Sequence, residues 1–509
     1  MSGYKRFTRL PGPAPYTSVD GMGNDHPHFD SAREIEMKRT WILGLVLLLV
    51  SSSSIALAGV LDGTEMEAIL RGSPAEVDAA ILRLRQEGPA GLDALIAKKA
   101  KLEEQLRETT RQVPTPAEKE MLGRLDSAID HVGGAKYCTA SRLYWYTDLE
   151  QAKAIAQKCG KPILTLRMLG NLTDEFSCAN SRFFRTTLYS NEEIAHTLRE
   201  RFVLHWRSVR PVPKVTIDFG DGRKLERTLT GNSIHYVLMP DGQVVDAIPG
   251  LYGPKAFLKQ ITRGEALVWL LADATLERRN IMLADFHQRQ AEEVTKAWQA
   301  DWQRAQLASA NASLNNHPKA ALEAFARTLQ TQDAAAQQQV AAPPRAEAAT
   351  RIARPKERVE ARLVEAANLT KVAPEDVQDD KIWNVIATFH SDDAKIDAAS
   401  RRVIREEKPL AAAAGRLAIT KRVVEDPMLR LVANLENSIA VDTVKNEYLF
   451  HRRIHQWLAA EEYRPDVEAL NERVYAEVFL TPSSDPWLGL APAGVYTALQ
   501  NGGVVAGGK

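Results

Sequence analysis

The chain has 509 residues, enough for two or three domains, and its 45% hydrophobic and 26% charged residues are the balance of a folded protein. Basic and acidic residues are equal at 65 each, so no global field selects nucleic acid or an anionic membrane. Its three cysteines, Cys138, Cys159 and Cys178, exclude a disulfide-dense scaffold and a four-cysteine zinc site, and allow one intrachain bridge at most.

Residues 1–36 are rich in Pro, Gly, Asp and His without periodicity, and are read as a mispredicted or disordered extension. From Met37 the sequence "MKRTWILGLVLLLVSSSSIALAG" has a basic start at Lys38 and Arg39, an apolar run and an Ala56-Leu57-Ala58 cleavage signal. Residues 37–58 are therefore expected to be a signal peptide, leaving a chain that begins at Gly59. The alternative is an uncleaved anchor, a single N-terminal transmembrane helix, because twenty residues can just span a bilayer. Either way the remainder is expected outside the cytoplasm, in the periplasm or secreted.

Residues 59–135 read as helical. "SPAEVDAAILRLRQEG" opens with Ser73 and Pro74 as cap and first-turn residues, with Val77, Ile81 and Leu84 at helical spacing. "LDALIAKKAKLEEQLRETT" interlaces charges of both signs along a solvated face.

From about 136 to 263 the pattern changes. "TDLEQAKAIAQKCG" predicts a helix capped by Thr147 with Glu150 and stopped at Gly160, with Cys159 an inert buried thiol on its apolar side. "KPILTLRML" predicts a buried strand, and "SNEEIAHTLRERF" a capped helix that leads into the strand "FVLHWRS". Two hairpins follow, turning at Asp221-Gly222 and at Pro240-Asp241-Gly242, and "GPKAFLKQI" closes the unit as a helix.

This order resembles the thioredoxin fold, and more narrowly the secreted thioredoxin-like domains with a Lys-Pro-Ile/Val strand. "KPILTLRML" corresponds to the central strand and "CANSRFF" to the start of the redox helix. "NEEIAHTLRERFVLHW" corresponds to the next helix and strand, and "VLMPDGQVVDAIPG" to the closing hairpin. The fold class expected is an α/β thioredoxin-like domain flanked by mostly α-helical N- and C-terminal regions.

The resemblance implies that Cys178 is the attacking thiol, since a helix N-terminus favours a thiolate. Ser181 stands where the family has its second cysteine, and a serine cannot resolve a mixed disulfide. In the substrate loop facing the redox helix, which holds Asn232 and Ser233, Ser233 stands where the family has a substrate-holding cis-proline, so the loop is expected to be trans. Cys178 is thus a monothiol nucleophile, an inert relic, or one half of a structural bridge to Cys138.

From Glu265 the chain reads as helical again: one long helix or two over 264–330, an Ala/Gln/Pro-rich linker at 331–358, and a helical region at 359–509. That last region ends in a loop with Trp487 and Leu490 as anchors. Glu447, His451 and His455 recur every four residues and share one helix face. No metal is expected there, since further ligands are lacking and Arg452 and Arg453 crowd the face with positive charge. His205 and His235 are read as core histidines near the Cys178 pocket. "GDGRK" lacks the helix of a phosphate loop, and no G-x-S-x-G, C-x-x-C-H or H-E-x-x-H occurs, so no cofactor is expected.

The reading favoured is an exported binding or scaffolding module with a degenerate redox motif. The alternative is a monothiol thiol-disulfide oxidoreductase or isomerase using Cys178. The partner is expected to be an unidentified protein and not nucleic acid, with membrane contact only if the N-terminal segment is retained.

Overall fold

The computed structural model describes residues 63–108, 114–228, 231–316, 372–407, 427–460 and 466–488. The extension, the signal segment, the 331–358 linker and Leu490 lie outside them. Among the described residues no helix is long and apolar enough to cross a membrane.

Four helices come first: α1 Gly63–Arg71, α2 Pro74–Gln86, α3 Pro89–Glu108 and α4 Pro116–Gly133. Two of their starts carry the capping-box sequence: Thr115 and Glu118 exchange both bonds, while at Ser73 the N–H and the hydroxyl both donate to the Glu76 carboxylate. Gly134 ends α4 at φ 75°, and a Cβ there would meet the Trp145 carbonyl at 2.8 Å. That close approach brings the bundle onto the sheet. Arg85 donates to the carbonyls of Val132 and Trp145, and the Trp206 indole donates to the Gly134 carbonyl at 2.7 Å. The short helix α5, Cys138–Ser141, follows at this junction.

The sheet contains β1 Trp145–Tyr146, β2 Ile163–Leu169, β3 Val203–Arg210, β6 Ser233–Leu238 and β7 Val244–Pro249, in the order β1-β3-β2-β6-β7. β1, β3 and β2 are mutually parallel, and β6 and β7 run antiparallel. β4 Lys214–Asp218 and β5 Lys224–Thr228 form a separate hairpin. Helix α6, Leu149–Cys159, connects β1 to β2 and ends at Gly160 in the left-handed region. Its cap is Asp148, which accepts from the Glu150 and Gln151 N–H groups, one residue later than the sequence suggested. Helix α7, Ala179–Phe183, runs into a π-helical turn, Phe184–Leu188, and α8 is Glu192–Arg201. α9 spans Pro254–Leu271 and α10 Leu276–Asn316, so the long helical stretch is two helices.

The C-terminal region supplies α11 Asp380–Phe389, α12 Ala398–Glu407, α13 Pro427–Lys445, a π-helical turn Asn446–His451, α14 Arg452–Ala460 and α15 Val467–Glu477. The protein is thus mostly helical around a small mixed sheet. One core runs without a break from Ile69 to Leu488.

β2 is buried along its whole length, yet it carries Arg167. That guanidinium is fully buried, donates to Thr165 Oγ1 at 2.5 Å and reaches Glu468 Oε1 on α15 at 2.6 Å. Tyr236 on β6 donates to Asn471 of the same helix at 3.2 Å. Arg210, at the end of β3, donates to the carbonyls of Thr481, Pro482 and Asp485. α15 and the loop after it are therefore fastened to the sheet by polar contacts.

Two sequence expectations fail here. Cys159 is exposed, because Ala152 and Ala156 make the buried stripe of α6 and Ile155 and Cys159 fall beside it. Trp487 is 48% exposed, and its neighbour Leu488 is the residue that anchors the loop.

At the α4–α5 junction Asp130 accepts from the Cys138 N–H at 2.9 Å. Burial nevertheless pushes its carboxyl up from 3.8 to about 6. The native state therefore holds a proton that the unfolded chain releases near pH 4, and stability falls as pH rises from about 4 to about 6. Asp130→Asn keeps an acceptor and loses that dependence. In urea melts its advantage over the unmodified protein should grow across this window to on the order of 2 kcal/mol. A constant gap would contradict the assignment.

Candidate functional site

The two ends of the sheet hold chemically different clusters. At the C-terminal end of β2, Cys178 is the N-cap residue of α7, and its N–H donates to the Leu169 carbonyl at 3.1 Å. Its exposure is 0%, and it is a free thiol. Ser181 donates to the Cys178 carbonyl at 2.9 Å and shares a 2.6 Å hydroxyl contact with Ser177 Oγ, so its hydroxyl is committed away from the sulfur. Tyr189 and Tyr475 lie close enough to the thiol to feel charge on it. Burial raises both phenols well above their ordinary value, and negative charge on Cys178 would raise them further.

The facing loop is closed as well. Tyr475 donates to the Asn232 carbonyl at 3.2 Å, and the Asn232 amide donates to Thr481 Oγ1 at 3.0 Å. Ser233 is buried at the start of β6 opposite Met168, and its hydroxyl has no hydrogen-bond partner. Among the described residues no peptide bond is cis.

The bridge left open between Cys138 and Cys178 is absent, since both are buried free thiols. Cys138 Sγ points to the carbonyls of Ala135 and Leu143 at 3.1 and 3.4 Å, within its own turn. Burial and the nearby Asp130 push that thiol far up, which makes it inert.

His205 and His235 are core residues. His205 shares a 2.6 Å contact with Thr165, and His235 one of 2.7 Å with the Tyr189 hydroxyl. Burial holds both near 3, helped for His205 by Arg167 and Arg207.

The second cluster lies at β7, the edge strand. The pairing with β6 shifts between Val237 and Leu238, so that Asp246 faces Val237, Val244 faces Leu238, and Val245 is left over. Such a bulge re-aims the side chains around it. Asp246 is fully buried and accepts its own Ala247 N–H at 2.8 Å and His451 Nε2 at 3.2 Å. His451 comes from the π-helical turn, and its other nitrogen meets Glu447 Oε2 at 3.1 Å. A single-turn π bulge inside an α-helix is a frequent feature of functional sites.

Glu447 Oε2 also accepts from the Tyr252 hydroxyl and the Gln260 amide, each at 3.0 Å. The charges settle each other. Burial opposes charge on His451, but Asp246 and Glu447 outweigh it and push the imidazole up to about 9. Burial likewise opposes charge on both carboxylates, and His451 with Arg263 holds Glu447 at about 2 and Asp246 well below its ordinary range.

Glu447, with Gln260 and Arg263, also lines a surface pocket of about 200 Å³ together with His390, Asp393 and Lys259. Arg452 and Arg453 do not crowd the cluster. Arg452 pairs with Glu375, and Arg453 donates to the Glu477 carbonyl.

His455 stacks on His451 with ring centroids 4.1 Å apart, and its Nδ1 faces His287 Nδ1 of α10 at 2.8 Å. The sequence offered Glu447, His451 and His455 as one helix face but gave no sign of Asp246 or His287. Asp246, His287 and His455 each present a ligand-type atom, all within 4.8 Å of one another and all buried.

The chain matches no family model, and no curated protein or solved structure matches it.

His451→Ala would leave the buried Asp246 with only Arg263, 3.7 Å away, to offset its charge, and would remove the cation that Glu447 faces. We expect a loss of about 3–5 kcal/mol in urea unfolding, partly restored when Asp246→Asn is added. A loss below about 1 kcal/mol would contradict the charge compensation described here.

Proposed function

We propose that the chain is an exported thioredoxin-like protein whose disulfide-exchange cycle is lost, and whose sheet serves as the core of a protein-binding or scaffolding module. Support for the fold comes from the strand order with its parallel trio and antiparallel pair, and from a Cys-x-x-Ser helix start after the central strand. Support for export comes from the sequence of residues 37–58 alone.

The observation that carries the loss of redox function is the state of Cys178. A thiol that exchanges disulfides must meet its substrate's sulfur in line. Here the sulfur is wholly buried, and the loop that would hold a substrate backbone is engaged by Tyr475 and Thr481 of the same chain. With Ser181 unable to resolve a mixed disulfide, neither half of a dithiol cycle is available. The surface left for partners is that of the helices around the sheet.

Iodoacetamide labelling resolved by peptide tests this reading, with exposed Cys159 as an internal reference. Cys159 should label in the native protein, while Cys178 and Cys138 label only in denaturant, at every pH from about 5 to about 10. Tyr475→Ala should raise native labelling of Cys178 by about tenfold or more, since local opening becomes cheaper. Native labelling of Cys178 as fast as Cys159, with a midpoint below the ordinary ~8.5, would overturn the reading in favour of the monothiol enzyme.

A further inference from the structure

We propose that Asp246, His287 and His455 bind one divalent transition-metal ion of the zinc class. The three come from separate elements, β7, α10 and α14, and all are buried. Their convergence is therefore a product of the fold and not of local helix spacing. It is also independent of the fate of Cys178.

The hydrogen-bonding pattern prepares His287, while the far nitrogen of His455, Nε2, is buried without a partner. His287 Nε2 lies 3.1 Å from the Val245 carbonyl, the group freed by the β7 bulge. A carbonyl only accepts, so this nitrogen carries the proton, and in the neutral ring Nδ1 carries the lone pair. A second-contact carbonyl that fixes a histidine's tautomer is the usual partner of a metal-binding imidazole.

That Nδ1 points at His455 Nδ1 across 2.8 Å. What lies between them is either the Nδ1–H of a neutral His455, donating an ordinary hydrogen bond to the His287 lone pair, or a metal ion that both lone pairs ligate. Zinc held tetrahedrally at 2.0–2.1 Å places two ligand nitrogens about 3.3 Å apart, so the two rings need to separate by only about half an ångström.

Asp246 supplies the anionic ligand. Its Oδ1 lies 3.9 Å from His455 Nδ1, and its Oδ2 is buried without a hydrogen-bond partner. Arg263 Nη2 stands 3.7 Å from Oδ2, beyond hydrogen-bond distance. Two imidazoles and a carboxylate are a donor set for zinc and its first-row neighbours, with one position left for a further ligand. Arg263, 3.7 Å from Asp246 Oδ2, also lines the pocket of about 200 Å³.

The test uses the tag-free full chain, stripped with a chelator and then titrated with Co²⁺ or Zn²⁺. The proposal expects about one ion per chain after gel filtration, the visible absorption of four-coordinate Co²⁺, and a higher thermal midpoint with Zn²⁺. His287→Ala and His455→Ala should each weaken binding by at least about 100-fold, because a lost ligand costs more than a lost supporting group. Removal of the exposed His196 should change nothing. The unmodified protein decides between the alternatives even if the variants fail to fold. Stripped protein that takes up no ion and shows no thermal shift would mean that a hydrogen bond links the two histidines, and would overturn the proposal. Undiminished binding in folded ligand variants would do the same.

Discussion

Two charges buried in the sheet govern the rest of the structure. Arg167 sits on β2 in the middle of the sheet and Asp246 on the edge strand β7, both out of contact with water. A buried charge left alone costs several kcal/mol, far more than a single surface contact returns. Neither is neutralised from within the strands. Arg167 meets Glu468, which is 301 residues further along the chain, and Asp246 meets His451, which is 205 residues further along. The sheet therefore requires the C-terminal helices for its electrostatic balance, and those helices are built into the fold.

That requirement shapes what each end of the sheet can do. Docking α15 to pair with Arg167 brings Tyr475 and Thr481 onto the Asn232 loop, while Cys178 is buried in the core. A helix-capping cysteine that would otherwise be a candidate nucleophile becomes a core residue. At the other end, the π-helical turn that presents His451 to Asp246 also carries Glu447 to the wall of a pocket. Chemistry closes at one end of the sheet and gathers at the other.

The sequence exposed what is local. The helix start at Ser73-Pro74, the stop at Gly160, the buried strand after Lys161-Pro162 and both hairpin turns follow from signals a few residues wide. It erred where one helical turn decides which face is buried: Cys159 falls beside the Ala152–Ala156 stripe, and Trp487 yields its anchoring place to Leu488. It was silent on Asp246 and His287, because the contacts that matter span 168 residues between His287 and His455 and 42 between His287 and Val245. Two faint signals were present. Arg167 interrupts an otherwise apolar strand, and Glu447, His451 and His455 recur every four residues. Both mark places where a polar group needs a distant partner, which a one-dimensional pattern does not name.

The central claim is that the sheet and the C-terminal helices are one cooperative unit because each neutralises the other's buried charge. Hydrogen exchange of the full chain in increasing sub-denaturing urea, read by mass spectrometry, measures this directly. Peptides from β2 and from α15 should open with the same free energy, and Glu468→Ala should lower both together by about 2 kcal/mol. If α15 exchanges freely while β2 keeps its full protection, and Glu468→Ala leaves β2 unchanged, the helices are an appended arm and the account is wrong.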